Sequence, residues 1–269
     1  MMAKTIAICN QKGGVGKSTT AVNVGSYLAL LGKQVLLVDL DPQGNATISC
    51  GVSRGRVTKT LHEALIDGLS LTEALISSPI ERLDVVPSSF DLADLELKLA
   101  QGPERETVIR KLCEPLQSRY DAILFDCPPS LGVLTVNALV ASDCVLIPVQ
   151  CEYLALEGLN ALLRAIDQIK QQFNPHLKLG GIVLTMADFR ANLTREVSEE
   201  VKRFFKDLVF ETTIPRNVRL AESPSFGRPV CVYDPTSSGA LAYQMLAREV
   251  ALKIGLMEEK DTVTSKGDA

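Results

Sequence analysis

Residues 11–20 read QKGGVGKSTT, and their types and spacing are those of a phosphate cradle. The glycines at 13, 14 and 16 let backbone N–H groups crowd round phosphate oxygens with no Cβ in the way. Lys17 supplies a cation for β- and γ-phosphates, and the Ser18 hydroxyl is a ligand for Mg2+. A helix starting near Ser18 turns its positive end toward the same anion. The common pattern GxxxxGK[ST] asks for glycine at position 11, where this chain has Gln11, and an additional lysine, Lys12, precedes the glycines. The loop is therefore a variant of the common one.

Two further segments bring carboxylates. In 35–47, VLLVDLDPQGNAT, an apolar run delivers Asp39 and Asp41 at its end. Strand periodicity points both to one side. Ligands of α/β sheets bind beyond the carboxyl ends of strands. Asp41 is then placed to orient or deprotonate an attacking water, and Asp39 to help hold a metal shell. In 122–130, AILFDCPPS, four apolar residues lead to Asp126, the pattern of a strand whose terminal carboxylate holds Mg2+ directly or through water. Cys127 has no nearby histidine in sequence to activate it and reads as filler.

The elements that must position these residues alternate. Short β-branched runs at 5–9, 34–39, 83–86, 122–126, 144–149, 181–185 and 209–212 predict strands. Longer helical runs cover 18–31, 90–99, 104–117, 154–173, 193–205 and 238–254. Several strands are continuously apolar, as strands covered on both faces are. The expectation is an α/β fold, a doubly wound and mostly parallel sheet with helices on both faces. One domain is expected over 1–256, with a polar, disordered tail at 257–269. Residues 50–80 are the least regular stretch, GVSRGRVTKT followed by two short helical runs, and read as a mobile surface excursion.

Composition narrows the chemistry. The 269 residues are 46% hydrophobic and 22% charged, too apolar for a disordered chain. Aromatics are scarce and Trp is absent, which disfavours a base-stacking platform. Seven cysteines form no CxxC pair and there are only two histidines, His62 and His176, so neither a zinc site nor a disulfide framework is expected. The free-thiol pattern and the lack of a cleavage-type leader predict a cytoplasmic protein. The net charge of −4 excludes a generally basic nucleic-acid binder, though not a local patch.

Together KGGVGKST, DLDPQGNAT, FDCPPSLGVLTVNAL, IPRNVRLAESPSFGRPV and YDPTSSGA resemble the deviant Walker A ATPases, most closely the ParA/Soj partitioning proteins, over about 4–254. The resemblance implies an Mg2+-dependent, slow, partner-stimulated ATPase that dimerises on ATP, binds DNA non-specifically on the nucleoid and works with a ParB-like partner. It implies that Lys12, Gly13, Gly14, Val15, Gly16, Lys17, Ser18 and Thr19 bind ATP, with Lys12 reaching the partner's phosphates. It makes Lys12, Asp41 and Lys17 catalytic, and has Pro215 and Asn217 contact adenine and Arg190 and Arg219 contact DNA. Physically, Lys12 as a second charge from a partner subunit does the work of an arginine finger. On residues alone the DNA role is thin: eight Arg and Lys face seven acids between 181 and 230. The alternatives are a MinD-like membrane-associated ATPase, disfavoured by a C-terminus short of apolar residues, and an electron-transfer iron protein, disfavoured by the cysteine arrangement.

Overall fold

A computed structural model describes residues 2–53, 55, 57–99, 102, 104–152 and 155–258. Seven strands, β1 (Lys4–Ile8), β2 (Val35–Asp39), β3 (Ile76–Ser77), β4 (Leu83–Val86), β5 (Ala122–Asp126), β6 (Cys144–Gln150) and β7 (Lys178–Thr185), form one sheet in the order β3-β4-β2-β5-β1-β6-β7. All pairings are parallel except β3 with β4. The helices are α1 (Lys17–Leu30), α2 (Asn45–Ser49), α3 (Leu61–Ile66), α4 (Leu92–Leu99), α5 (Val108–Cys113), α6 (Val133–Ala141), α7 (Ala155–Gln172), α8 (Asn192–Phe205), α9 (Val218–Glu222), α10 (Val230–Tyr233) and α11 (Ser238–Lys253).

The apolar strands separate two cores. Ile6, Ile8, Val35, Leu37 and Leu124 face α1 and α11, whereas Ala7, Leu36, Val38, Ile123 and Phe125 face the layer of α3 to α8. Strand periodicity sends neighbours to opposite faces, so a strand buried on both sides is apolar throughout. Helix α1 is buried almost all round because α11 covers its outer side, and the Thr20 and Tyr243 hydroxyls meet there at 3.1 Å. Gly32, at φ +85°, stops α1.

Three expectations change. Residues 209–212 make only a single bridge, Val209 to Ile182, because the Glu211 and Thr212 N–H groups donate to the Glu249 carboxylate, each at 3.0 Å, instead of to a ladder. The helix expected over 104–117 shortens to α5 plus a 3-10 turn at Glu114–Leu116, where Pro115 offers no N–H. Residues 50–80, expected as a mobile excursion, carry α3, with its Thr60–Glu63 capping box, and edge strand β3. Leu61, Ala64, Leu71 and Ala74 anchor that stretch in the core. Met257 still packs on the core, and the tail from 259 onward lies outside the described residues.

Candidate nucleotide site

The carboxyl ends of β1, β2, β5 and β7 meet at one cleft of about 400 Å3, within the range of small-ligand pockets. Its lining is Gly13, Gly14, Gly16, Lys17, Ser18, Thr19, Asp41, Gln43, Asn45, Ser49, Pro129, Met186 and Pro224. The loop leaving β1 is held from outside. The Asn10 side chain donates to the Pro148 carbonyl at 2.7 Å and accepts the Lys12 N–H at 3.0 Å. The Thr185 hydroxyl donates to the Val15 carbonyl at 2.9 Å. Gly14 and Gly16 sit at φ +76° and +90°, and Gly16 is the residue before α1. A Cβ at Gly13 or Gly14 would meet nothing within 4 Å, so the cradle is an open concavity there.

Lys17 is 7% exposed, and among the described residues its Nζ donates only to the Lys12 carbonyl, at 3.2 Å. Burial pushes its pKa down, opposed by the charges of Asp126 and then Asp41. Lys12, by contrast, reaches outward and forms an ion pair with Glu152 of the same chain, both half exposed.

The three carboxylates differ in what they have left to offer. Asp126 is fully buried, and among the described residues neither of its oxygens makes a hydrogen bond of good geometry, the Ser18 hydroxyl standing only near enough to favour the charged form. Burial drives its pKa well above the carboxylate range, the charge of Asp39 adds to this, and the nearby Ser18 hydroxyl and Lys17 oppose it. Two orphaned buried oxygens beside Ser18 are what a divalent metal shell needs. Among the described residues no group of three or more His, Cys, Asp and Glu side chains could hold a metal alone, so phosphate oxygens and water must complete it.

Asp39 is different. Its Oδ2 accepts the Thr47 N–H at 2.8 Å and the Thr47 hydroxyl at 2.6 Å, and its Oδ1 accepts the Asp41 N–H at 3.2 Å. Three of its roughly four acceptor sites are thus taken up by the Asp41 N–H and by Thr47 of α2, which leaves Ser18 and Asp126 as the freer groups for a metal shell. Burial pushes its pKa up to about 6. Asp41 lines the cleft, with Oδ1 accepting the Gln43 N–H at 2.9 Å.

Removing the Asp126 charge should separate stability from function. Asp126→Asn is expected to stabilise the nucleotide-free protein increasingly as pH rises, because burial favours the protonated carboxyl and only its ionisation puts a poorly partnered charge in the interior. It is also expected to abolish the Mg2+ dependence of nucleotide affinity. Denaturant melts and titrations with and without Mg2+ check the two halves.

Other expected site residues are placed as follows. Pro215 pairs with Ala187, next to Met186, and lies beside the cleft rather than in its lining. The Asn217 side chain caps α9 by accepting the Arg219 and Leu220 N–H groups, and its amide donates to Ser238. Capping α9 is the role the Asn217 side chain fills in this structure. Arg190 is wide open but forms a two-pronged pair with Asp188, whose pKa is lowered to about 2 by that contact. Arg219 pairs with Glu222 and Asp234. Cys127 is buried with its pKa pushed up, an inert thiol.

Sequence reasoning missed Gln43, Asn45, Ser49, Pro129, Met186 and Pro224. Gln43 and Asn45 lay inside a segment already singled out. Met186 carries a backbone signal, φ +51°, that only coordinates reveal.

A family model described as an AAA domain matches residues 3–179. The sporulation initiation inhibitor protein Soj of Bacillus subtilis (strain 168) is 50% identical over 250 residues, covering 93% of this chain and 99% of that protein. The chain belongs to the Soj/ParA family of partitioning ATPases. The fold of this Soj/ParA member is also that of solved structures. Cobyrinic acid a,c-diamide synthase from Mycobacterium smegmatis, with bound ADP and magnesium, superposes with a TM-score of 0.80 at 36% identity over 92% of this chain and 93% of that one. MinD of Pyrococcus horikoshii OT3, complexed with Mg-ADP, gives 0.77 at 25% identity over 96% and 100%. Among the described residues of the Soj/ParA chain, no helix is long and apolar enough to cross a membrane.

Proposed function

We propose that this chain is an ATP-driven switch that partitions chromosome or plasmid DNA. The observation that carries the reading is the pair of buried, unpartnered Asp126 oxygens set beside Ser18 and Lys17 at the mouth of a glycine cradle. ATP is the substrate. The N–H groups of 13–19 and the Lys17 ammonium hold its phosphates, and Asp41 orients and deprotonates water. Mg2+, held by Ser18 and Asp126, supplies neutralising charge at the phosphates. Val15 and Thr19 contribute backbone and helix-end contacts, and Pro215 and Asn217 stand nearest the base.

Lys12 must leave Glu152 to reach the phosphates of a second copy, which makes a homodimer the hydrolytic form. An exposed ion pair is worth only about 0–1 kcal/mol, so a triphosphate outcompetes it. The dimer coats DNA non-specifically through Arg190 and Arg219. Each of these arginines exchanges a carboxylate for a DNA phosphate, and dimerisation doubles a sparse patch. A ParB-like partner stimulates hydrolysis and release, on the nucleoid in the cytoplasm and without stable membrane association.

The test is ATPase activity and DNA retention with and without non-specific duplex across a salt series. Retention should fall steeply with salt and ignore sequence. Arg219→Ala should reduce the log–log salt slope by about one per protomer while leaving basal ATPase unchanged. An unaltered slope removes Arg219 from the surface. Liposome co-sedimentation with ATP would instead favour a MinD-like role.

A further inference from the structure

The Asp41 backbone is gripped from both sides, by Asp39 just before it in the chain and by Ser88, which is distant in sequence. Its N–H donates to Asp39 Oδ1 at 3.2 Å, and its carbonyl accepts the Ser88 hydroxyl at 2.6 Å. The two grips are joined to each other. The Ser88 N–H donates to Thr47 Oγ1 at 3.1 Å, and that hydroxyl donates to Asp39 Oδ2 at 2.6 Å. The result is a closed ring: Asp41, Asp39, Thr47, Ser88 and back to Asp41. Its members are 5%, 0%, 0% and 3% exposed, so water does not compete for these bonds.

The ring draws on three elements. Asp39 ends β2, Thr47 lies in α2, and Ser88 follows β4, which pairs with β2 up to Val38 and Val86. The sheet register thus fixes where Ser88 stands relative to Asp41. Ser88 offers one hydroxyl and one N–H, and both are used within the ring. The side chain of Asp41 is left facing the cleft with its backbone immobilised.

We propose that Ser88 is a positioning residue for hydrolysis: its hydroxyl holds the Asp41 carbonyl directly while its N–H ties it to Thr47 and Asp39, so that Asp41 stands at the angle its reaction requires. The inference rests on the role of Asp41 given above. A carboxylate acting on water must sit within a fraction of an ångström of its productive place, and a group that orients it changes rate more than binding.

The experiment is steady-state ATPase kinetics on the full chain. Ser88→Ala is expected to lower kcat roughly tenfold to hundredfold, the range seen when an orienting partner is lost, with KM for ATP essentially unchanged. Ser88→Thr, which keeps the hydroxyl, should recover most of the rate. In an Asp41→Ala background, Ser88→Ala should cost nothing further, because the group it aims is gone. Should Ser88→Ala not fold, Ser88→Cys keeps the volume with a weaker donor and must show a smaller loss of the same sign.

A normal kcat in Ser88→Ala, a rise in KM in place of a fall in kcat, or an equal loss with and without Asp41 overturns the proposal. If Asp41→Ala itself hydrolyses normally, the reading of Asp41 falls first and the positioning role falls with it. If Asp41→Ala is inactive and Ser88→Ala is not impaired, only the positioning role falls.

Discussion

Lys17→Ala should weaken ATP binding by about two to four decades, measured by calorimetry with Mg2+ present. The ammonium is the one side-chain cation in the cleft lining and is nearly buried. A hydrogen bond to a charged group contributes about 1.5–3 kcal/mol, and two such bonds to β- and γ-phosphates give that range. The site has already removed the water that would otherwise hydrate Lys17, as the downward push of burial on its pKa records. Its Nζ has one carbonyl to donate to, so most of its donor capacity awaits an anion. Truncation also leaves Asp126 and Asp41 without the neighbouring cation. The nucleotide-free variant should therefore gain more from added Mg2+ in a thermal melt than the parent does. Heat of ATP binding equal to the parent's would remove Lys17 from the phosphates and the cradle reading with it.

Asp41→Ala should do the opposite: retain ATP and lose its hydrolysis, by about a hundredfold to ten-thousandfold. Asp41 makes its one side-chain bond to the adjacent Gln43 N–H, so substitution disturbs the loop little, while Asp39 and Ser88 still hold the backbone. The expected product is a long-lived ATP-bound species that stays on DNA. Single-turnover hydrolysis beside nucleotide titration separates the two parameters. Equal loss of binding and rate would make Asp41 a binding residue instead of the group that handles water.

The cradle was legible in sequence because it is local. One strand, one loop and one helix start supply Gly13 to Thr19, and glycine spacing encodes the turn. The doubly wound sheet was legible for a similar reason, since doubly covered strands such as AILFD are apolar throughout. Asp39 was not legible. Its spacing from Asp41 suggests paired ligands, yet Oδ2 takes both bonds of Thr47, which arrives on the helix after the turn, and Oδ1 takes the Asp41 N–H. Ser88 gave no signal, because only the pairing of β2 with β4 brings it to Asp41. The strand expected at 209–212 failed where a remote carboxylate, Glu249, took the ladder's donors. Periodicity reports which face is buried; it does not report which distant partner claims a hydrogen bond.

The strand order also bears on how the chain is made. β1 lies between β5 and β6, so it precedes both of its partners in the chain. At about 5–20 residues per second of synthesis it waits roughly 6–24 s before residues 122–126 emerge to receive it. During that interval the apolar Lys4–Ile8 segment and the glycine loop behind it have no sheet to join, so the nascent chain should depend on chaperones early and acquire nucleotide only after Thr185, Met186 and Pro224 have followed to complete the cleft.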